Sequence, residues 1–508
     1  MNAAQVCNLS QLLRQTAALH PDRPGLIQGE RRWTWREIDA RVDAAVAALR
    51  ALGVGKGDRI LVQSRNNLAL FESCWAAFRL GAVWVPVNFR LTPPEVAWLA
   101  AASGAAAMLA EDEFAPHVDA ARAAAPALRH VLTIGRARAS EHDYEAFVRL
   151  HRGAPPFEAA VGADDPLWFF YTSGTTGRPK AGVLTHGQMA FIVTNHLADL
   201  IPGTTEEDVS IAVAPLSHGA GIHALLNVAR GAATVLPPGD RLEPAAFWEL
   251  VERHRVTNLF TVPTIVKMLV EDPAVDRFDH SSLRYVIYAG APMYRADQQR
   301  ALRTLGPVLV QYFGLGEVTG CITVLTPSMH SPDDDSPNAN VGSCGRPRTG
   351  MEVAILDADG RAVPTGEVGE ICCRGPGVFA ATTTTRRPRR RRFAAAGSTP
   401  ATSAASTRAG CCTSRAASPT CTSPAAPTSI RARSRKCCSP IRPSPRSRCW
   451  ACPTRSGARW AWPSSCGGRA WTAMRRRCSS TWKAAARSTA GRATSSSGRR
   501  CRDRATAR

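Results

Sequence analysis

The sequence predicts an α/β chain: a large N-terminal domain of layered, mostly parallel sheets with helices, a small antiparallel β-barrel at its end, and a disordered C-terminal tail. Three observations carry this. Over residues 8–150 and again over 205–310, short apolar runs of strand length alternate with stretches of helical pattern. Between 350 and 375 the pattern becomes two strand-like runs flanking a tight turn signal. After Phe379 the composition changes altogether. The expected division is therefore a domain over 1–380, with 340–380 as its barrel part, and a tail over 381–508.

The elements follow in order. Thr34-Trp35-Arg36-Glu37 reads as a capping box opening a helix through Leu52, with Gly53 as its stop. Asp58 to Val62 is a short strand, Leu68 to Leu80 an apolar helix ended by Gly81, and Ala82 to Val87 the next strand. Strand–helix–strand at this spacing implies a parallel sheet under helical cover. Further strands are expected near Val209–Ala214, Asn258–Val262, Tyr285–Ala289 and Val308–Gln311. Glu352 to Leu356 and Glu370 to Cys373 are the antiparallel runs, around Asp357-Ala358-Asp359-Gly360. There is no internal repeat.

The net charge of +22 would suggest a nucleic-acid or acidic partner. Its distribution argues otherwise. Residues 381–508 hold 29 Lys and Arg against one acidic residue, Asp503, so the rest of the chain has 34 basic and 40 acidic residues. The first three-quarters has an ordinary, mildly acidic globular composition, and no specific nucleic-acid partner is expected. Ten of the 16 cysteines also fall after residue 380. The other six (Cys7, Cys74, Cys321, Cys344, Cys372, Cys373) show no metal-ligand spacing and read as reduced core residues of a cytoplasmic protein. Met1 to Ser10 has no apolar h-region, and no run is long enough to span a membrane.

The most informative stretch is Tyr171-Thr172-Ser173-Gly174-Thr175-Thr176-Gly177-Arg178-Pro179-Lys180, between the apolar run Leu167 to Phe170 and a second short run, Gly182 to Thr185. Its glycines let backbone approach a ligand, its N–H groups and hydroxyls donate hydrogen bonds, and Lys180 adds a point charge. Such a loop suits a polyphosphate. It is not a Walker A loop, because Lys180 does not follow a glycine and no Ser or Thr follows it.

This stretch resembles the phosphate-binding signature of the adenylate-forming, AMP-binding superfamily: acyl-CoA synthetases (including long-chain fatty-acid–CoA ligases), luciferases and peptide-synthetase adenylation domains. Further segments match in the expected order. Pro215-Leu216-Ser217-His218-Gly219 resembles the segment whose histidine lines the acyl pocket. Tyr288-Ala289-Gly290-Ala291-Pro292-Met293 resembles the segment that packs on adenine. Gln311-Tyr312-Phe313-Gly314-Leu315-Gly316-Glu317 resembles the aromatic-Gly-x-Thr-Glu segment. The resemblance covers 1–380. It implies an ATP-dependent acyl-CoA synthetase that turns a carboxylic acid, expected to be fatty, into an acyl-adenylate and then a coenzyme A thioester. It implies ATP, Mg²⁺ and coenzyme A as ligands, with Thr172, Lys180, His218 and Glu317 as catalytic residues. Nucleotide contacts would come from Thr172, Ser173, Gly174, Thr175, Thr176, Gly177 and Lys180, from Gly290, Ala291 and Pro292, and from Gln311, Tyr312, Phe313 and Gly314. Phe313 would stack on adenine, and Thr172 and Glu317 would hold the metal. A homodimer is expected, and an apolar substrate would allow peripheral membrane contact. Two residues depart from the pattern: Gly316 replaces the usual Thr or Ser, and Ala181 stands where glycine usually follows the lysine.

The tail lacks Leu, Val, Tyr, Glu, Asn, Gln and His, so it has little to bury. Its excess of Arg, Ala, Pro, Ser and Thr is what a GC-rich gene yields when read one base off. Codons permitted for Ala396 to Ser403, regrouped from the old third base, can read Gly-Trp-Phe-His-Thr-Gly-Asp-Leu, similar to the family's hinge motif. Pro424 to Pro440 regroups to a run containing Gly-Gly-Pro-Asn-Val-His-Pro, similar to its Gly-Gly-Glu-Asn-Val-Tyr-Pro segment. The expectation is an out-of-frame remnant of the small C-terminal domain, and so an impaired enzyme. Two other readings stand beside it. One is a non-catalytic nucleotide-binding protein with a nucleic-acid-binding tail; the other is an adenylation domain feeding a carrier protein.

Overall fold

The computed structural model describes residues 8–172, 179–239, 241–357, 359–379, 381–382, 403–406 and 412–414, with backbone only at Thr172 and in the last three segments. All lie in the unit Met1–Cys449. The two expected segments of alternating strands and helices build two sheets with helices between and outside them.

The first sheet runs in the order Ala381–Thr382, Lys180–Thr185, Pro166–Thr172, Val83–Val87, Arg59–Gln63, Ala107–Glu111, His130–Ile134, His142–Asp143. Its pairs are parallel from Pro166–Thr172 onward, and the other two strands add antiparallel at one edge. The second sheet has a parallel centre: Leu309–Phe313, Tyr285–Tyr288, Asn258–Thr261, Val209–Ile211, Ala233–Leu236 and Pro24–Gln28. Antiparallel strands flank both sides of that centre.

Helix Leu68–Leu80 shows why the layers form. All 13 of its residues are buried, so it has no solvent face and belongs between sheets. Asn67 caps it by accepting from the Leu70 N–H at 2.9 Å, and Gly81 ends it in the left-handed conformation at φ 65°. One continuous core joins this helix, helices His186–Asp199 and Gly219–Arg230, Trp84 and Trp168 of the first sheet, and Phe260, Ile287 and Val310 of the second. Separate apolar clusters cover the outer face of each sheet. The capping box at Thr34 is present, and its helix runs Trp35–Ala51. That helix meets the central one through buried charge: the fully buried Arg79 guanidinium reaches Asp43 at 2.7 Å and Asp39 at 2.5 Å.

Three expectations need adjustment. The strand expected over Val209–Ala214 ends at Ile211. Ala212 still donates to the Val235 carbonyl at 2.9 Å, but beyond it Asn66 takes over, donating to the Ala214 carbonyl at 2.9 Å and accepting from the Leu216 N–H at 2.8 Å. The antiparallel strands Ser343–Pro347, Glu352–Leu356 and Val368–Arg374 form an open extension of the second sheet among the described residues, rather than a separate barrel. The pairing of Ser343–Pro347 with Thr323–Leu325 joins them to the larger sheet. Strands Ser403–Ser406 and Cys412–Ser414, placed in a disordered tail by composition, extend this region. The rest of that expectation lies outside the described residues. Among the described residues no helix is long and apolar enough to cross a membrane.

Candidate active site

The phosphate-loop stretch is the tip of a β-hairpin. Strands Pro166–Thr172 and Lys180–Thr185 pair antiparallel, with Thr172 opposite Lys180. The intervening loop is therefore closed at its neck by backbone hydrogen bonding, and Lys180 stands at that neck, half-buried. Ser173, Gly174, Thr175, Thr176 and Gly177 lie outside the described residues, as does the Thr172 side chain.

The other expected segments leave the second sheet at one edge. Strands Tyr285–Tyr288 and Leu309–Phe313 are parallel neighbours, with Tyr288 opposite Gln311. Gly290-Ala291-Pro292 and Gly314 to Glu317 thus emerge together at the carboxyl ends of parallel strands, where α/β sheets bind ligands. Gly290, Ala291 and Pro292 are exposed, and Gly290 has φ 83°; a Cβ there would meet only Val262 Cγ1, at 3.7 Å, so a flat group can approach. Gln311 is held from behind: the Tyr288 hydroxyl lies 3.0 Å from Gln311 Oε1, 3.0 Å from Gln298 Nε2 and 3.1 Å from His330 Nε2. Sequence reasoning missed Gln298 and His330, which no motif marks.

Phe313 and Tyr312 divide between two sides of their strand. Phe313 is half-buried and packs against the small cluster of Val318, Ile322, Cys344, Ile355, Ile371 and Cys373. Tyr312 stacks on Phe260, with centroids 5.7 Å apart and planes at 20°. Gly314 is required by close approach: a Cβ there would lie 2.5 Å from the Gly320 backbone. Gly314→Ala should therefore overpack the turn and cost about 1–3 kcal/mol, read as a lowered urea midpoint.

Glu317 lies in the turn Gly316–Val318, half-buried, and has no ion pair with the described residues. This turn comes within 8 Å, Cα to Cα, of both strands of the Lys180 hairpin. Two further contacts fix it there. The Glu317 carbonyl accepts from the Phe379 N–H at 2.7 Å, and Ala381 pairs with Val183 in the hairpin strand. A carboxylate with no ion pair among the described residues, close to both hairpin strands, has the chemistry to hold Mg²⁺ when nucleotide oxygens and waters complete the shell. No group of three or more His, Cys, Asp or Glu among the described residues could hold a metal without such help.

His218 occupies the N-cap position of helix Gly219–Arg230, without a side-chain capping bond, and lies against Phe170, with ring centroids 5.3 Å apart. Its Nδ1 donates to the Ser217 carbonyl at 2.8 Å, and burial lowers its pKa, so the imidazole is neutral with Nε2 as an acceptor. Phe170 belongs to the hairpin strand and His218 follows Val209–Ile211, so the two sheets meet at this ring pair.

Sequence reasoning also missed Arg348. Its side chain is fully buried, its Nε lies 3.0 Å from Asp199 Oδ2, and its Nη2 lies 3.2 Å from His196 Nδ1. His196 in turn meets the edge of Tyr312 at 5.8 Å. This group ties the end of helix His186–Asp199 to the Glu317 region.

Residues 13–381 match the model of the family described as "AMP-binding enzyme". The chain is 34% identical over 364 residues to a feruloyl-CoA synthase of an Amycolatopsis species, covering 71% of this chain and 69% of that one. It is 30% identical over 375 residues to the fatty acid–[acyl-carrier-protein] ligase ScoC of Streptomyces coeruleorubidus, covering 72% and 69%. Among solved structures, the inhibitor-bound N-terminal domain of FACL13 from Mycobacterium tuberculosis superposes with a TM-score of 0.71 at 25% identity, over 81% of this chain and all of that one. This chain belongs to the AMP-binding enzyme family, among its acid–thiol ligases of the AMP-forming acyl-CoA synthetase kind, whose substrates are a carboxylic acid, ATP and coenzyme A.

Proposed function

We propose that the described residues form the nucleotide and acid half of a cytoplasmic, ATP-dependent acyl-CoA synthetase acting on an apolar, fatty-type carboxylic acid. The observation that carries this reading is the approach of the Glu317 turn to both strands of the Lys180 hairpin. Phosphates held at the hairpin tip would lie between a cation on one wall and a carboxylate on the other. The acid's carboxylate attacks the α-phosphorus of ATP, forming the acyl–O–P bond and releasing pyrophosphate. The thiolate of coenzyme A then attacks the acyl carbon and releases AMP. Mg²⁺, held by Glu317 and the nucleotide, would neutralise charge on the leaving phosphates. Lys180 and the loop donors orient the phosphates, Gly290-Ala291-Pro292 and Phe313 seat the base, and neutral His218 faces the acid side. This is catalysis by positioning and fixed charge.

We further propose that the tail after residue 380 is read out of frame, which deprives this polypeptide of the small domain that completes the site. The family match ends at residue 381, where the composition changes, and this supports the reading. ATP–pyrophosphate exchange with a panel of acids tests both proposals. This chain should exchange weakly or not at all while still binding MgATP, and exchange at the rate of an intact ligase would contradict the impairment. Glu317→Gln should weaken binding of MgATP by about tenfold or more and leave metal-free ATP binding nearly unchanged. Equal loss with and without Mg²⁺ would remove Glu317 from the metal site.

A further inference from the structure

The polar groups behind Gln311 form a closed set of contacts, and each donor and acceptor in it can be assigned. Arg295 Nη1 donates to Gln298 Oε1 at 2.5 Å. The other end of that amide, Nε2, is therefore the donor 3.0 Å from Tyr288 Oη. His330 Nδ1 lies 2.8 Å from the Thr326 carbonyl, which can only accept, so Nδ1 carries the ring proton. Burial pushes the His330 pKa down to about 4, so the ring is neutral. Its Nε2, 3.1 Å from Tyr288 Oη, is then a bare acceptor. Tyr288 is fully buried and has one proton to give.

Gln311 is the remaining member. The structure sets its Oε1 3.0 Å from Tyr288 Oη. In that orientation Oε1 and His330 Nε2 both claim the single phenolic proton, and one acceptor goes without. A half-turn of the amide exchanges two ends of nearly equal size and removes the conflict. Gln311 Nε2 then donates to Tyr288, Tyr288 donates to His330, and every group in the set has a partner. Oε1 becomes the free end. Gln311 and Phe313 lie two apart in strand Leu309–Phe313, so they share a face of that strand.

We propose that His330, Tyr288 and Gln298 are positioning residues that lock the Gln311 amide with Oε1 toward the nucleotide, so that the site selects a 6-amino purine over a 6-oxo purine. The inference rests on the nucleotide-binding reading above, in which Phe313 and Gly290-Ala291-Pro292 flank the base and the free end of the amide meets its polar edge. Adenine offers an N–H donor at position 6, where a 6-oxo purine offers a carbonyl oxygen. A locked Oε1 accepts from the first and repels the second. An amide free to turn would serve either base.

The test is titration calorimetry on the full chain with MgATP and MgITP. The unaltered chain should bind MgATP more tightly by about tenfold or more. His330→Leu removes the acceptor that takes the phenolic proton, while the Thr326 carbonyl keeps the Met329 N–H at 2.9 Å. The proton then goes to Gln311 Oε1, Nε2 faces the base, and the ratio of the two affinities should fall by about tenfold or more, with MgITP bound at least as tightly as MgATP. Tyr288→Phe removes the group that orients the amide and should leave the two affinities within about threefold of each other. A merely structural role would weaken both nucleotides alike and keep the ratio. Urea midpoints show whether each variant is folded, and Tyr288→Phe decides where His330→Leu is not. A ratio that survives in a folded variant overturns the proposal, as does equal affinity of the unaltered chain for both nucleotides. Failure of the unaltered chain to bind MgATP is a different result: it sinks the nucleotide-binding reading itself, and this inference with it.

Discussion

A chain in which the codons after residue 380 are read in the alternate frame should form acyl-CoA at least ~10³-fold faster than the present one. Removing one preorganised electrostatic group from a reacting phosphoryl or acyl centre typically costs 10²–10³ in rate, and an open site adds the cost of admitted water. By family resemblance the small domain supplies a lysine for the first half-reaction and rotates about a hinge for the second. No segment resembling those around the hinge aspartate and that lysine occurs in residues 381–508, which contain one acidic residue, Asp503, and two lysines, Lys436 and Lys483. The two chains should differ much less in MgATP affinity, because Lys180, Gly290 to Pro292, Phe313 and Glu317 all precede the change. That separation is the diagnostic: a large gain in turnover with a small change in nucleotide binding. Comparable thioester rates from both chains, measured on one acid panel, would falsify the out-of-frame reading.

Much of this molecule is legible in its sequence, because local patterns dominate where packing is simple. Helix Leu68–Leu80, its Gly81 stop and the Thr34 capping box are local features, and the structure has all three. The placement of the Tyr288 and Gln311 segments is also legible, since each leaves a strand that its own apolar run defines. Pairing between distant strands is not. Nothing local says that Ser343–Pro347 joins Thr323–Leu325 and so opens the expected barrel into an extension of the large sheet. Nor does a lone Arg in a loop announce burial. Arg348 reads as surface until Asp199, 149 residues away, is brought against it. His223 is silent in the sequence for a similar reason: its partner Asn258 lies 35 residues away and is brought to it only by the fold.

The Arg348–Asp199 pair should give the largest stability effect among single substitutions near the site. Asp199 ends helix His186–Asp199, where a carboxylate opposes the helix dipole. It is retained because Oδ2 accepts from Arg348 Nε at 3.0 Å and from the Thr349 N–H at 2.8 Å, while Oδ1 accepts from Thr349 Oγ1 at 2.7 Å. Asp199→Asn leaves a fully buried guanidinium without its counter-charge and should cost about 3–5 kcal/mol. Arg348→Met removes the buried cation and replaces its stem with apolar volume. The carboxylate left behind keeps its two Thr349 donors and is 13% exposed, so the loss should be smaller, about 1–2 kcal/mol. The double variant should then lie close to Arg348→Met, well short of the sum. Urea midpoints at constant slope measure all three. The consequence reaches the site, because Arg348 also approaches His196, which packs on Tyr312, and its own N–H donates to the Ile322 carbonyl just beyond the Glu317 turn. Asp199→Asn should therefore weaken MgATP binding as well as folding. Strict additivity of the two single changes, or a loss under about 1 kcal/mol for Asp199→Asn, would mean that the guanidinium is satisfied without Asp199 and that the latch lies elsewhere.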